Sequence, residues 1–538
     1  MMQNVAQCVA GELARAGVDR IFGLPGGEVL GLIEACRQQG IDFVLTRHEA
    51  NAGLAAAVYG KLKNAPGAAL ATLGPGAANL MLPLANSYLD REPLVALSAQ
   101  LPQSFPRSHT HQLLPLLESY GPVTKFSAAI DPFNVNQVVA QACRTALSQP
   151  MGPAFLTLSA ADAARPPAAV RSSGSPAAAG DHAGSTLAGE AESVAGEVRK
   201  ALAKASRPLV LVGIGANQIL APQLRQWLDA WQLPVAVTPK VKGIVDETKP
   251  NFVGVVGGMA ADALMCDALR EADLLIGFGL DPVEIDKLWH AELSILWLLE
   301  NANAVGQLPA ENALLIDHRQ LLASLNRLDP PQVWNRPFRT FQEQRQALMA
   351  GSSSRSAAMW PADAVRSLAE LLPPETIVTT DVGSHKYLFG QFWPSRLPQT
   401  FFMSNGLSGM GYGLPAALGA KLARPESPVL AVVGDGGFSM NFQELETMER
   451  VNAPVVTLVL SDHSYSLIKL AQEGRSLPGH GVDFNPIDHV KAAEACGVEA
   501  VRTNDPDRLA AAVGRAVTDQ RSLVVDIPIH YSDYRKIF

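Results

Sequence analysis

The chain has 538 residues, of which 48% are hydrophobic and 17% are charged. This composition excludes a disordered chain, and the length predicts about three domains of roughly 150 residues each. The 51 acidic and 43 basic side chains give a net charge of −8, which argues against nucleic acid or an anionic membrane surface as the main partner. Five scattered cysteines without CxxC spacing disfavour disulfides and a zinc site. No apolar run reaches about 18 residues, so no membrane span is predicted, and the cysteine usage leads us to expect a reducing cytoplasm.

The first part of the chain alternates short β-rich runs with Ala-rich helical stretches. The β-rich runs lie at residues 43–45, 68–72 and 94–98. This alternation predicts a mostly parallel sheet flanked by helices, in a first domain over residues 1–165. The next stretch is rich in Ala, Ser, Gly and Pro, and we interpret residues 166–190 as a linker.

A second α/β unit is predicted over residues 191–330, beginning with the strand run PLVLV at 208–212. Its loop VGIGAN at 212–217 has part of a dinucleotide-binding pattern, but Gln218 stands where GxGxxG ends in glycine. We therefore favour a structural role for this loop and keep nucleotide binding as the alternative.

A third α/β unit is predicted over residues 359–538, after a second linker at 331–358 that contains GSSSRSAA. Strand runs in this unit are predicted at residues 376–380, 429–433, 455–460 and 522–527. The predicted architecture is therefore α/β, with three mostly parallel sheets flanked by helices and joined by two linkers.

The strongest chemical signal is the run VLAVVGDGG at 429–437, in which a buried strand leads directly into Asp435 and three glycines. Glycines allow close backbone approach to a ligand, and the N-terminus of a following helix favours phosphate. The next buried strand ends at Asp462, so both carboxylates are predicted at one carboxyl edge of the sheet, where they suit Mg²⁺ beside a diphosphate. The alternatives are a simple tight turn at Asp435 and a helix cap at Asp462.

These two motifs resemble the signature of enzymes that depend on thiamine diphosphate (ThDP). The resemblance implies that Mg²⁺ is bound by Asp435, Asp462 and the backbone carbonyl of Ser464. Many members have Asn in place of Asp462, and the acid keeps an oxygen ligand but adds negative charge. The family fold implies an N-terminal pyrimidine-binding domain, a central Rossmann-like domain and a C-terminal diphosphate-binding domain.

Other segments match the family in chain order. Glu49 resembles the catalytic glutamate, whose carboxyl bonds to the pyrimidine and promotes the tautomer that takes the thiazolium proton. Met410 resembles the apolar residue that props ThDP in its bent form, and a plain core methionine is the alternative. The resemblance assigns to the cofactor site Pro25, Gly26, Glu49, Gly74, Asn79, Val382, Gly383, Ser384, His385, Gly409, Met410, Gly434, Asp435, Gly436, Gly437, Asp462, Ser464, Tyr465, Ser466 and Leu467.

Within the family the chain resembles acetolactate synthases, particularly the catabolic type. The matching segments are DHSY at 462–465, GFGLDPVE at 277–284 and DIPIHYSD at 526–533. The resemblance implies that a 2-oxo acid, with pyruvate as the expected donor, is decarboxylated and that the resulting enamine adds to a second carbonyl compound. It also implies a homodimer or homotetramer with active sites between subunits, and it argues against FAD.

Three residues are assigned to the substrate pocket or to catalysis with the substrate. Gln112 matches the Phe-Gln segment of the synthases, whereas His111 replaces the Phe and opens the alternative of a more polar donor or acceptor. Ile468 stands where simple pyruvate decarboxylases carry an acid, which favours carboligation over protonation of the enamine. A 2-oxo acid decarboxylase, a flavin-dependent oxidase and a non-catalytic homologue remain alternatives.

Overall fold

The computed structural model describes residues 3–102, 105, 111–168, 188–284, 295–300 and 313–538. It contains three six-stranded sheets, one in each predicted unit, and every strand pair within them is parallel. The predicted α/β fold class is therefore confirmed. Among the described helices, none is both long enough and apolar enough to cross a membrane.

The first sheet has the strand order β2-β1-β3-β4-β6-β5. Its strands are β1 Arg20–Gly23, β2 Asp42–Leu45, β3 Gly67–Ala71, β4 Leu94–Ala99, β5 Phe126–Ile130 and β6 Ala154–Leu158. The α-helices around it are Val5–Arg15, Leu30–Gln38, Glu49–Lys63, Pro75–Ala78, Met81–Asp90, Leu116–Tyr120, Val135–Leu147 and Ala160–Ala163. Strands β3, β4 and β6 are buried along their whole length, as expected for a parallel sheet covered on both faces.

The second sheet has the order β12-β11-β10-β7-β8-β9. Its strands are β7 Pro208–Val212, β8 Val235–Val237, β9 Phe252–Val255, β10 Leu274–Phe278, β11 Ile295–Leu299 and β12 Ala313–Leu315. The described α-helices of this domain are Ala188–Lys204, Ala221–Ala230, Asp262–Arg270 and His318–Leu325.

The third sheet has the order β14-β13-β15-β16-β18-β17. Its strands are β13 Ile377–Thr380, β14 Phe401–Met403, β15 Val429–Gly434, β16 Val456–Ser461, β17 Glu499–Arg502 and β18 Leu523–Pro528. The helices are Pro361–Leu371, Ser384–Phe392, Gly413–Ala423, Asp435–Asn441, Glu444–Arg450, Ser466–Gly474, His489–Ala495 and Pro506–Thr518, followed by the 3-10 helix Tyr531–Lys536.

The two predicted linkers differ from the structure at their ends and in their content. Most of the first one, residues 169–187, lies outside the described residues, and helix Ala188–Lys204 begins before its predicted end. The second one contains the helix Arg339–Ala347. The side chain of Gln342 donates to a backbone carbonyl of β9 at 2.6 Å, which fixes this polar helix on the central domain. Only a narrow face of the helix Arg339–Ala347 is buried. Its sequence, RTFQEQRQA, therefore lacks the apolar periodicity by which a helix is predicted.

The loops at the crevice of the central sheet are hydrogen-bonded to each other and to a buried glutamate. The loop after β7 lies beside the loop after β10, where the strand order reverses and α/β proteins bind ligands. There the backbone N–H of Ile214 donates to Glu284 Oε2 at 2.8 Å, and Thr238 Oγ1 donates to the other oxygen. The backbone N–H of Gly215 donates to the carbonyl of Gly279 at 2.7 Å. The buried carboxyl group of Glu284 therefore already accepts the backbone N–H of Ile214 in the loop VGIGAN.

The first and third domains of the same chain pack through two helices, Glu49–Lys63 and Gly413–Ala423. A Cβ added to Gly419 would lie 2.2 Å from the carbonyl oxygen of Ala55, so the two backbones touch. Glu444 strengthens this contact, since its Oε1 accepts from Asn51 Nδ2 at 2.8 Å.

A buried polar cluster joins all three domains, and we call it the three-domain junction. Lys240 Nζ donates to Glu92 Oε1 at 3.0 Å and to the carbonyl of Met403 at 2.8 Å, and it lies 3.6 Å from Asp90 Oδ2. The hydroxyl of Tyr412 also donates to Glu92 Oε1, at 3.3 Å. One lysine of the central domain thus neutralises two carboxylates of the first domain while it holds a backbone carbonyl of the third.

Candidate active site

A cavity of about 250 Å³ opens at the carboxyl edge of the third sheet. It is lined by Val382, Gly383, Ser384, His385, Met410, Gly434, Asp435, Gly436, Gly437, Leu460, Asp462, Ser464, Tyr465, Ser466, Leu467, Ile468, Ile529 and Tyr534. Apart from Gly409, every cofactor residue that the sequence assigned to this domain lies on the wall. The structure therefore brings together segments that follow five different strands, β13, β14, β15, β16 and β18.

Asp435 and Asp462 meet in this cavity because β15 and β16 are adjacent and parallel. Asp435 Oδ2 accepts the backbone N–H groups of Asp462 at 3.1 Å and His463 at 2.6 Å. Asp462 Oδ1 accepts the backbone N–H of Ser464 at 3.2 Å. The following helix, Ser466–Gly474, has no side-chain cap, so the alternative of Asp462 as its cap is not realised.

The two carboxylates are electrostatically suited to a cation. Burial raises the pKa of Asp435, whereas burial and then the charge of Asp435 raise the pKa of Asp462 to about 7. No cluster of three or more His, Cys, Asp or Glu side chains suited to a metal occurs within the described residues. Two carboxylates and a carbonyl fit Mg²⁺ all the same, because that ion keeps phosphate oxygens and water in its shell.

Several buried polar atoms around the cavity have no hydrogen-bond partner among the described residues. They include His385 Nε2, Asp462 Oδ2 and Tyr534 Oη. Burial lowers the pKa of His385 to about 3, so its imidazole is neutral near pH 7. Because buried polar groups are nearly always hydrogen-bonded, three unpartnered groups around one cavity indicate a polar ligand.

The glycines of the GDGG run are required by close packing. A Cβ on Gly436 would lie 2.8 Å from the ring of Tyr465, and one on Gly437 would lie 2.5 Å from Asp381 Oδ2. The same Asp381 accepts the backbone N–H of Gly411 at 2.9 Å. The residue beside Met410 is thereby tied to the end of β13, which fixes the loop that carries the methionine.

A second group of predicted residues lies at the carboxyl edge of the first sheet. Glu49 begins the helix Glu49–Lys63, is only 8% exposed, and accepts from Asn79 Nδ2 at 2.9 Å through Oε2. A Cβ on Gly74, whose φ is +62°, would lie 2.8 Å from Gln112 Cβ. Glu49 and Asn79 are therefore joined by a hydrogen bond, and Gly74 and Gln112 lie against each other at the same edge of the sheet.

The remaining first-domain predictions lie around this group. Pro25 and Gly26 follow β1, and Gly26 packs against Thr72 so closely that a Cβ would lie 2.5 Å from Thr72 Oγ1. His111 is exposed, and residues 109 and 110 lie outside the described part of the chain. Among the described residues, none from the first domain lines the cavity of the third domain. The predicted site thus consists of two groups on separate domains.

Three family models match the chain in order and account for both groups. They are described as the thiamine pyrophosphate enzyme N-terminal TPP binding domain at residues 3–117, the central domain at 196–325 and the C-terminal TPP binding domain at 381–527. Thiamine pyrophosphate is another name for ThDP. The chain belongs to the thiamine pyrophosphate enzyme family.

Relatives that align with nearly the whole chain indicate which enzymes of this family it resembles. The acetolactate synthase isozyme 2 large subunit of Escherichia coli (strain K12) is 30% identical over 543 residues, covering 98% of this chain and 95% of the relative. Acetolactate synthase of Bacillus subtilis (strain 168) is 29% identical, covering 98% and 93%, and the catabolic acetolactate synthase of Raoultella terrigena is 29% identical, covering 98% and 95%. The chain is therefore a ThDP-dependent enzyme that resembles acetolactate synthases, as its motifs predicted.

Three wall residues of this family member escaped the sequence analysis, namely Leu460, Ile529 and Tyr534. Ile529 and Tyr534 follow β18, which pairs with β16 and ends at the same edge. The rule that ligands bind at the carboxyl ends of parallel strands therefore points to the segment after β18 as well. The strand run at 522–527 was predicted, but the segment that follows it was used only for the family resemblance.

Proposed function

We propose that the chain is a Mg²⁺- and ThDP-dependent carboligase of the acetolactate synthase type. It removes CO₂ from a 2-oxo acid, with pyruvate as the expected donor, and joins the remaining acyl unit to the carbonyl carbon of a second molecule. The observation that carries the proposal is the pairing of a two-carboxylate cavity on the third domain with a buried Glu49 on the first. Bound ThDP supplies the electron sink for the carbon that loses CO₂.

Residues of the cavity would hold the diphosphate end of the cofactor. Asp435, Asp462 and the carbonyl of Ser464 provide oxygen ligands for Mg²⁺. The N-terminus of the helix Ser466–Gly474 would offer backbone N–H groups to a phosphate. Met410, which also lines the cavity, would provide an apolar surface for the bent cofactor. These assignments account for the residue types on the wall and for its unpartnered polar atoms.

Glu49 would hold the proton that activates the pyrimidine. Asn79 occupies Oε2 at 2.9 Å, which orients the carboxyl, and Oε1 faces Gly76, where an added Cβ would lie only 3.0 Å away. Because the Glu49 carboxyl is buried, water does not compete with Asn79 for it. His111 and Gln112 would contact the substrate next to this group, and Ile468 would form the apolar wall that keeps a proton donor away.

The active site would be completed by a second copy of the chain, in a homodimer or homotetramer in the cytoplasm. The Glu49 group and the cavity lie on different domains, and each is bordered by exposed apolar side chains. Met81 and Leu82 are 37% and 39% exposed on the first domain, and Met440 and Ile468 are 45% and 54% exposed on the third. Covering these surfaces with the complementary domain of a partner buries them and joins the two half-sites.

The central domain would bind no FAD, which favours the carboligase over a flavin-dependent oxidase. Glu284 accepts the backbone N–H of Ile214 at 2.8 Å in the crevice of the central sheet. A phosphate at this place would have to displace a buried carboxyl group that is already hydrogen-bonded. A colourless purified protein is the expected result, and a flavin absorbance spectrum would contradict this assignment.

The role of Glu49 is tested by the substitution Glu49→Gln. We expect loss of carboligation with ThDP binding retained, because the amide keeps the bond with Asn79 but cannot hold the proton. Glu34→Gln is the matched control, since Glu34 is exposed and its partners Arg37 and Gln38 lie on the same surface helix. Unchanged turnover in Glu49→Gln would refute the assigned role.

A further inference from the structure

Tyr534 is a wall residue of the cavity with no role in the motifs that defined the site. It lies in the 3-10 helix Tyr531–Lys536, which follows the last strand, and it is only 1% exposed. Its side chain lines the cavity together with the two carboxylates and the glycines of the GDGG run. A residue from the C-terminal end of the chain therefore contributes to the part of the cavity suited to a diphosphate.

The hydroxyl of Tyr534 has no hydrogen-bond partner within the described residues. A buried tyrosine usually pairs its hydroxyl, because leaving such a group unpaired away from water is costly. The aromatic ring is buried, whereas the hydroxyl oxygen lacks a hydrogen-bond partner among the described residues. A missing partner at a cavity wall indicates that the ligand supplies it.

The surroundings identify the hydroxyl as a donor. Burial, and then the negative charges of Asp462 and Asp435, raise the pKa of Tyr534 well above its ordinary value. The phenol therefore keeps its hydrogen at neutral pH and lies near the metal end of the cavity. A protonated hydroxyl at this position suits an anionic oxygen, and hydrogen bonds to charged acceptors are among the strongest in proteins.

The position of the ring is fixed by the C-terminal segment. Tyr534 stacks on Phe538 with ring centroids 5.3 Å apart. The neighbouring Asp533 is fully buried and accepts from Ser353 Oγ at 2.7 Å and from the backbone N–H of Ser354 at 3.0 Å. The hydroxyl is thus presented by a rigid segment, so its contact with a ligand needs little further ordering.

We propose that Tyr534 binds the cofactor by donating its phenolic hydrogen to a phosphate oxygen of the ThDP diphosphate. This inference rests on the proposed function, because it takes ThDP as the ligand of the cavity. It adds to that function a ligand from the C-terminal 3-10 helix, on the side of the cavity formed by the end of β18.

The test is the substitution Tyr534→Phe, which removes one oxygen and keeps the ring and its packing. The dissociation constant of ThDP is measured by titration calorimetry with the full-length apoprotein at saturating Mg²⁺, and Mg²⁺ with inorganic diphosphate is titrated in parallel. We expect both ligands to bind about tenfold to a hundredfold more weakly, because a hydrogen bond to a charged group is lost. The melting temperature of the apoprotein should stay at or above that of the wild type, because the substitution removes an unpaired buried hydroxyl.

The matched control is Tyr531→Phe, which removes a hydroxyl from the same helix. That hydroxyl donates to Glu473 Oε1 at 3.0 Å and does not line the cavity, so ThDP affinity should be unchanged. Unchanged ThDP affinity in Tyr534→Phe, or an equal loss in both variants, would overturn the proposal. A wild-type protein that binds no ThDP would instead overturn the proposed function, so the two failures are distinguishable.

Discussion

Lys240 offers a direct test of how the three domains are held together. The substitution Lys240→Met keeps the length of the side chain but removes the ammonium group that contacts Glu92 and Asp90 directly. Asp90 would retain the backbone N–H groups of Asn405 at 3.2 Å and Gly406 at 2.8 Å. Glu92 would retain only two long hydrogen bonds, from Tyr412 Oη at 3.3 Å and Asn86 Nδ2 at 3.4 Å.

The cost of the substitution follows from these contacts. The side chains of Asp90 and Glu92 are 0% exposed and that of Lys240 is 4% exposed, so water cannot replace the lost ammonium group. Breaking a buried ion pair by removing one partner typically costs about 3–5 kcal/mol. We expect a loss in the free energy of unfolding of this size, with Glu92 as the main source, because it keeps the poorer hydrogen bonds.

Urea denaturation followed by circular dichroism measures this loss. The double variant Lys240→Met with Glu92→Gln should recover a large part of the stability, since it removes the uncompensated charge. The control Arg339→Met breaks an ion pair whose side chains are 66% and 60% exposed, and it should cost less than about 1 kcal/mol. A Lys240→Met variant within about 1 kcal/mol of the wild type, or one not rescued by the second change, would refute the reasoning.

Three further predictions concern the central domain, the contact between the first and third domains, and the cavity wall. Burial raises the pKa of Glu284 from 4.5 to about 8, so the folded chain holds a proton that the unfolded chain has released. Stability should therefore fall as pH rises through this window, by up to about 1.4 kcal/mol per unit, and Glu284→Gln should flatten the slope of melting temperature against pH. Gly419→Ala places a Cβ 2.2 Å from the backbone of Ala55 and should destabilise by about 1–3 kcal/mol in urea titrations, whereas Gly514→Ala, whose Cβ meets Leu371 at 3.6 Å, should not. Ile468→Glu places an acid on the cavity wall and should shift products from carboligation toward the aldehyde, and an unchanged product ratio by mass spectrometry would contradict the role of Ile468.

The sequence predicted several buried strands well and missed two of the edge strands. The runs at 208–212, 429–433 and 455–460 agree with β7, β15 and β16 to within one residue at each end. These strands are covered on both faces, so they are continuously apolar and easy to recognise. By contrast, β5 and β17 are edge strands with partly exposed residues, and neither FSAAI nor EAVR stands out as a strand.

In the candidate site, residues that directly follow strong strands were predicted, whereas residues placed there by long-range packing were not. Asp435 and Asp462 were predictable as neighbours, because each follows a strong strand and adjacent parallel strands end at one edge. Tyr534 was not predicted, since its place on the wall depends on how the segment after β18 folds back along the sheet. The buried carboxylate of Glu284 was also missed, because only the structure shows that it binds the backbone N–H of Ile214.

The central claim is that this chain joins two carbonyl compounds after removing CO₂ from a 2-oxo acid. The most direct test incubates the purified full-length protein with ThDP, Mg²⁺ and pyruvate and analyses the products by mass spectrometry. The account predicts consumption of pyruvate with formation of acetolactate, dependent on both cofactors. Acetaldehyde as the sole product would contradict the carboligase assignment, and it would show that the apolar wall at Ile468 does not exclude protonation.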